Sequence, residues 1–192
     1  MSTPDAAALR IETARLILRP LSMADIDDVW EYASDPLVTR FTRFDHHTRK
    51  DVTRQWLASA LEGATGDNFL FGLEHRELRH VIGGCAIRAC NKSDSHAEMG
   101  WALARAHWHQ GYGTEAVRGV IGFGFEQLRL NRLEARCIPA HTASRRLMEK
   151  CGMRFEGVLR QAEFFKNAFQ DLALYSILKQ EWAASGDLSS RP

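Results

Sequence analysis

The segment that most narrows what this chain can fold into is Trp108-His109-Gln110-Gly111-Tyr112-Gly113-Thr114-Glu115-Ala116. Two glycines one residue apart are followed at once by a helical pattern, and the strand-like run Ala97-Glu98-Met99-Gly100-Trp101-Ala102-Leu103 precedes them. Glycines let the backbone turn tightly and approach a ligand closely. The N–H groups at a helix start then point outward, where the helix dipole favours an anion. A strand, a glycine loop and a helix in that order predict a phosphate cradle. The Gly-Lys-Ser/Thr of a P-loop and the third glycine of a dinucleotide fingerprint are both missing, so neither of those common cradles is predicted.

Around this loop the pattern is mixed. Arg15–Pro20 alternates charged and apolar residues as a half-buried strand does. Ser22-x-x-Asp25 has the form of a capping box and opens a helix expected to run to about Ala33. Thr48-x-x-Asp51 reads as a similar start, with Val52, Trp56, Leu57, Ala60 and Leu61 on one helical face. Phe69–Leu73 and Val81–Ala89 predict an antiparallel hairpin across the polar segment Glu74–His80. A helix is predicted from Thr114 to about Leu128, with Ala116, Val117, Val120, Ile121, Phe125 and Leu128 inward. Its three glycines, Gly119, Gly122 and Gly124, each weaken it by roughly 1 kcal/mol relative to alanine. Close packing on a sheet would account for them. Arg132–Ile138 is a further strand, Ala143–Cys151 a short helix closed by Gly152, and Arg154–Leu159 and Leu172–Leu178 the last two strands. The expectation is one α+β domain spanning residues 1–192, with a central mixed, mainly antiparallel sheet flanked by helices. Residues 1–8 and 184–192 read as short mobile tails.

Composition sets outer limits. A chain of 192 residues that is 45% hydrophobic suits one sizeable core. A formal net charge of +1 gives no bulk electrostatic case for nucleic acid or a membrane surface. Cys85, Cys90, Cys137 and Cys151 form no Cys-x-x-Cys pair and read as reduced, mostly buried residues. His46, His47, His107 and His109 lie beside no carboxylate or cysteine at a known ligand spacing, so no metal is expected. No basic-then-apolar leader opens the chain and no apolar run is long enough to span a bilayer; the cytoplasm is the expected location.

Four pieces, in order, resemble the GNAT superfamily of acyl-CoA N-acetyltransferases, and within it the branch of ribosomal-protein alanine acetyltransferases (RimJ/RimL-like). They are Glu12-Thr13-x-Arg15-Leu16-x-Leu18-Arg19; Glu98-Met99-Gly100-Trp101 leading into Gly111-Tyr112-Gly113-Thr114-Glu115-Ala116; Ser144-x-x-Leu147 through Met153 with Glu156-Gly157; and Asp171 through Tyr175 to Glu181-Trp182. The resemblance implies a GNAT-like fold and acetyl-CoA as donor. It implies that His109, Gln110, Gly111, Tyr112, Gly113 and Thr114 hold the diphosphate, and that the pantetheine arm pairs with the strand at Trp101, Ala102 and Leu103. His141 stands where the family has an asparagine that bonds the pantetheine, and Trp108 where many members have arginine or glutamine. The family's acid tyrosine is replaced by Met148; Ser144, one turn earlier, takes its place as candidate acid, with Tyr175 a distant reserve. Glu98 is the candidate general base, acting directly or through water. The other readings of these two residues are an ion pair on the sheet for Glu98 and a hydroxyl satisfying the helix start for Ser144. Residues 36–50 would wall the acceptor site, with Arg40 and Arg43 solvated or facing an acidic acceptor.

The implied activity is acetyl transfer to a primary amine in a ternary complex, with a protein N-terminus of the ribosomal type as acceptor and a homodimer as assembly. A small amine as acceptor, or an acyl-CoA sensor without catalysis, are the alternatives.

Overall fold

A computed structural model describes residues 9–64, 68–91 and 93–184. The tails expected at 1–8 and 184–192 fall outside these residues, apart from Ala184. The strands are β1 (Ile11–Glu12), β2 (Leu16–Pro20), β3 (Phe69–His75), β4 (Val81–Asn91), β5 (His96–Leu103), β6 (Arg132–Cys137), β7 (Arg154–Phe165) and β8 (Ala168–Leu178). The helices are α1 (Ile26–Ala33), α2 (Pro36–Thr39), α3 (Lys50–Gly63), α4 (Tyr112–Glu126), α5 (Thr142–Lys150) and α6 (Lys179–Ala184). The sheet order is β1-β2-β3-β4-β5-β6-β8-β7, and the pairing of β5 with β6 is its parallel step. The mixed, mainly antiparallel sheet expected of the sequence is therefore present, and β8 lies between β6 and β7.

Alternation along the strands sends side chains to two layers. Leu16, Leu18, Phe71, Ile87, Met99, Leu133 and Tyr175 join α4 residues Val117, Val120, Ile121 and Phe125 in one buried cluster. Leu21, Val81 and Ala104 join Val29, Tyr32, Ala33 and Leu57 in a second, against α1 and α3. Each such large apolar side chain contributes roughly 1.5–3 kcal/mol on burial. The glycines of α4 do permit close packing: a Cβ at Gly124 would lie 2.7 Å from Leu133 Cδ1.

Several boundaries differ from the sequence reading. The capping box at Ser22 exists, with Ser22 N–H donating to Asp25 at 2.7 Å, but it opens a 3-10 turn, Met23–Asp25, that leads into α1. Arg49, not Thr48, precedes α3, and no side chain caps it. Helix α4 starts at Tyr112 rather than Thr114, because Gly111 makes the left-handed turn (φ 86°) that admits the chain directly into the helix. Strand β7, of 12 residues, runs six residues further than expected, and β8, of 11 residues, starts four residues earlier than expected. Their outer halves are exposed on both faces, which erases the alternation a sequence reading needs, and register shifts fall near Gly157 and between Leu159 and Glu163. Their turn, Lys166-Asn167, takes positive φ at both residues without a glycine.

Gly83 on β4 faces Leu103 on β5, and a Cβ there would meet the Ala102 carbonyl oxygen and come within 3.0 Å of Leu103 Cα. Both are backbone atoms that cannot rotate away. Gly83→Ala should lower stability by roughly 1–3 kcal/mol, the usual cost of overpacking. Urea unfolding checks this; an unchanged midpoint would show that β5 has slack at Ala102–Leu103.

Candidate active site

The parallel pairing of β5 with β6 runs from His96↔Arg132 to Met99↔Ala135 and stops, although β5 continues to Leu103 and β6 to Cys137. Beyond that point the two strands part. On its other side β5 stays paired with β4 through Leu103↔Gly83. Gly100–Leu103 thus keep one strand neighbour and present an open edge on the other side, which an extended amide-bearing ligand can pair with. Trp101 and Leu103 extend the side of the α4 cluster, and Ala102 faces the α1 layer.

At the end of β5 the chain turns into the glycine loop. The Trp108 indole N–H donates to the Leu103 carbonyl at 2.8 Å, so this residue ties the loop to the strand end. The Gln110 side chain donates to the Ala106 carbonyl at 2.8 Å and is spent within the loop. His109 (φ 61°) and Gly111 (φ 86°) both take left-handed backbone conformations. Gly111 is the N-cap of α4 and has no side chain to cap it, so the N–H groups of Tyr112, Gly113 and Thr114 have no capping side chain. A fifteen-residue helix with an uncapped start suits a diphosphate. Among the described residues no group of three or more His, Cys, Asp or Glu could hold a metal ion.

Glu98 lies on the sheet face opposite the α4 and α5 cluster, since its neighbours Ala97 and Met99 point into that cluster. Its Oε1 accepts from Arg43 Nη2 at 3.0 Å, and its Oε2 lies 3.7 Å from Arg136 Nε. Arg43 also donates to both oxygens of Glu163 on β7, at 2.5 and 2.8 Å. Arg43 is 44% exposed, the surface arginine of the sequence reading, and is at the same time tied to Glu98 and Glu163. Lys166, at the tip of the β7–β8 hairpin, adds a second tie by donating to the Phe44 carbonyl and to Asp45, at 3.1 and 3.0 Å. Below Glu98 the buried Glu134 receives Arg136 at 2.6 Å and Arg132 at 3.1 Å, with His96 Nε2 at 2.9 Å. Burial alone would raise the Glu134 carboxyl; the bonds from Arg136, Arg132 and His96 outweigh it and hold the group below the ordinary carboxylate range.

Ser144 occupies the first turn of α5, is 7% exposed, and stands beside the Cys137 side chain at the end of β6, where it offsets part of the rise that burial gives the thiol. Cys137 belongs to the α4 cluster, so Glu98 and Ser144 stand on opposite faces of the sheet. Met148 is fully buried and inert. Tyr175 packs under the sheet with its hydroxyl between Arg145 Nε and Glu149, each at 3.1 Å. His141, ahead of α5, stacks on Phe41 with ring centroids 4.5 Å apart. That contact links the segment carrying Arg43 to the helix carrying Ser144. None of the four cysteines is in a disulfide; burial pushes Cys85 and Cys151 up to about 12, so neither supplies a thiolate at neutral pH.

Sequence reasoning did not single out Arg136, Glu163 or Lys166. The first alternates with Glu134 on β6 and so shares the face of Glu98, a signal that strand periodicity carried. The other two lie in the part of the hairpin whose pattern is not strand-like.

The parting of the two parallel strands beside an uncapped helix N-terminus sets an open strand edge and an anion site side by side. Residues 15–154 match the family model described as an acetyltransferase (GNAT) domain, and the chain belongs to the GNAT acetyltransferase family. It is 34% identical over 175 residues to the uncharacterized N-acetyltransferase p20 of Bacillus licheniformis, covering 89% of this chain and 97% of that one. It is 32% identical over 100 residues to the ribosomal-protein-serine acetyltransferase of Escherichia coli, covering 52% and 54%. A GNAT-family acetyltransferase from Bacillus anthracis superposes with a TM-score of 0.80 at 27% identity, covering 90% and 99%. The protein is an acetyl-transferring enzyme of the GNAT type.

Burial depresses the ring pKa of His47, His107 and His141 below 6.5, with His46 adding to the effect at His47 and His80 and His75 at His107. The unfolded chain then binds more protons than the folded one below that pH. Their contribution to stability is complete above about pH 6.5 and is lost as pH falls through the lower folded values. The melting temperature should therefore drop between about pH 7 and pH 5.5, before the ion-paired carboxylates protonate. A flat profile over that interval would show that these rings accept protons without cost.

Proposed function

We propose that the enzyme moves the acetyl group of acetyl-CoA to the α-amine of a protein or peptide N-terminus, of the ribosomal-protein type, by direct attack in a ternary complex. The observation that carries the mechanism is that Glu98 and Ser144 flank the parting of β5 and β6 from opposite faces. A thioester seated in that gap is open to an amine from the Glu98 side and to a proton donor from the Ser144 side. In the proposed scheme the N–H groups at Gly111–Thr114 hold the diphosphate, with His109 and Gln110 shaping the turn. The open edge at Trp101, Ala102 and Leu103 pairs with the pantetheine amides, and a strand N–H there faces the carbonyl oxygen as it gains charge. His141, its imidazole kept neutral by burial, has a donor for the pantetheine in place of the family's asparagine.

The amine's lone pair forms the C–N bond, the C–S bond breaks, and the sulfur leaves with the electron pair. Glu98 takes the amine's proton, directly or through water, and passes it on to solvent, while Ser144 donates to the sulfur and regains its proton from solvent. Arg43 must give up part of its hold on Glu98 as the acceptor enters. An α-amine, with a reference pKa near 7.7–8.0, is partly neutral at physiological pH and asks little of that carboxylate; a lysine near 10.4 asks far more. The kinship with a ribosomal-protein-serine acetyltransferase supports the same acceptor class. Direct transfer fits the buried Cys85 and Cys151, whose raised thiols offer no thiolate for an acyl-enzyme. A homodimer and a cytoplasmic setting belong to the same reading.

CoA release should be measured against N-terminal peptides, lysine peptides, amino acids, polyamines and aminoglycosides, with mass spectrometry locating the acetyl group. Turnover confined to peptide α-amines is expected. Turnover on a small amine alone would replace the acceptor, and CoA binding with no transfer would support a sensor.

Glu98→Gln should lower kcat by roughly 10²–10⁴-fold, the usual reach of general acid–base catalysis, and Ser144→Ala by less. Unchanged rates across a pH series for Glu98→Gln would remove that residue from the mechanism. A Ser144→Ala enzyme that loses its fold instead would make the hydroxyl a structural partner of Cys137.

A further inference from the structure

The anion cradle at the start of α4 contains an anion of its own. Glu115 sits in the first turn of the helix, with its side chain 15% exposed. An unpaired carboxylate there would occupy the favourable end of the helix dipole and repel a diphosphate. It is not unpaired. Its Oε1 accepts from the Thr13 hydroxyl at 2.6 Å and from the Arg15 backbone N–H at 2.7 Å, and its Oε2 accepts from Arg15 Nε at 2.7 Å. Burial alone would raise this carboxyl; the bonds from Thr13 and Arg15 outweigh it, so the group stays charged and stays held.

Arg15 does more than neutralise Glu115. Its Nη1 donates to the Gln110 carbonyl at 2.9 Å, its guanidinium lies over the Tyr112 ring at 4.3 Å, and its Nη2 is 3.3 Å from where a Cβ on Gly111 would stand. One side chain from the turn between β1 and β2 thus touches Gln110, Gly111, Tyr112 and Glu115. The Tyr112 hydroxyl is fixed from the far side by His75 Nε2 at 2.8 Å. His75 Nδ1 accepts from the N–H groups of Glu77 and Leu78, at 3.3 and 3.2 Å, which leaves the proton on Nε2 to be donated to the tyrosine.

We propose that Arg15 is a positioning residue for acetyl-CoA: it cancels and turns aside the Glu115 charge and clamps Gln110–Tyr112, so that the first N–H groups of α4 converge on the diphosphate. This rests on the reading of Gln110–Thr114 as the diphosphate loop. The role is specific to one part of the ligand. A thioester without the diphosphate gains nothing from the clamp.

The test compares Arg15→Ala, Glu115→Gln, Arg15→Ala/Glu115→Gln and Gly111→Val. Calorimetry gives the Kd for CoA, and steady-state kinetics compares acetyl-CoA with S-acetylpantetheine, which has no diphosphate. Arg15→Ala should weaken CoA binding roughly tenfold, the scale of one misplaced charge at a helix end together with a loosened loop. KM for acetyl-CoA should rise with kcat little changed, while S-acetylpantetheine is used at close to the parental rate. The double variant should recover part of the lost affinity, because the uncompensated carboxylate is gone. Glu115→Gln alone, which keeps an acceptor for Arg15 and Thr13, should bind CoA at least as tightly as the parent and serves if Arg15→Ala fails to fold. Equal losses with both thioesters, or a double variant no better than Arg15→Ala, would overturn the proposal and leave Arg15 a structural tie. Weakened CoA binding in Gly111→Val with none in Arg15→Ala would sink the role of Arg15 alone. Normal CoA binding in Gly111→Val would sink the loop assignment itself.

Discussion

Two parallel strands that stop pairing in mid-course create a problem that the rest of this structure is arranged around. Unpaired backbone groups inside a sheet are costly unless something meets them. Here β5 and β6 separate after Met99 and Ala135, yet neither strand frays. β5 is held on its far side by β4 up to Leu103, and β6 by β8 up to Cys137. The Leu103 carbonyl at the very end is met by the Trp108 indole. Rigid flanks with an open middle make a slot of fixed width. The slot lies between the layer of α4 and α5 and the layer of α1 and α3, so it connects two chemically different environments. One is apolar, with the Ser144 hydroxyl at its edge; the other is densely charged.

The charged side is built from residues that neutralise one another. Arg43, Arg132 and Arg136 alternate in space with Glu98, Glu134, Glu156 and Glu163, and Ser176 and His96 fill the remaining positions. Isolated surface pairs of this kind contribute little to stability. Their value here is geometric: Glu134 and Glu98 share Arg136, so a displacement of one carboxylate is felt by the other. Charge is thereby concentrated at the slot without the desolvation cost of a lone buried ion.

The sequence made the central half of this molecule legible and the periphery much less so. Strands β2 through β6 follow from short apolar runs bounded by polar turns, being buried between two helical layers, and helices α1, α3 and α4 from apolar periodicity. The glycine loop stands out because Gly111 has a conformational duty no other residue performs as cheaply. The outer β7–β8 hairpin was half missed. In its outer half Phe164 and Phe169 are exposed apolar residues, and no buried face there betrays the strands. The clamp of Arg15 on Glu115 was hidden for another reason. Its partners are 100 residues apart, and each looked locally like an ordinary charge at a strand start or helix start. The same holds for Arg43 and Glu163. Residue type proposes such partners, but only the fold selects them.

The tie between Arg43 and Glu163 joins an interhelical segment to a hairpin across 120 residues of chain. Both ends lie in parts of the molecule that bear little of its core. Such segments tolerate change, yet these two cannot change independently: an acidic residue at 43 would face Glu163 and Glu98 together, and a basic residue at 163 would face Arg43 and Arg136. A lineage altering this charged face would have to revise both segments in step. That face is, in evolutionary terms, one heritable unit written in two places.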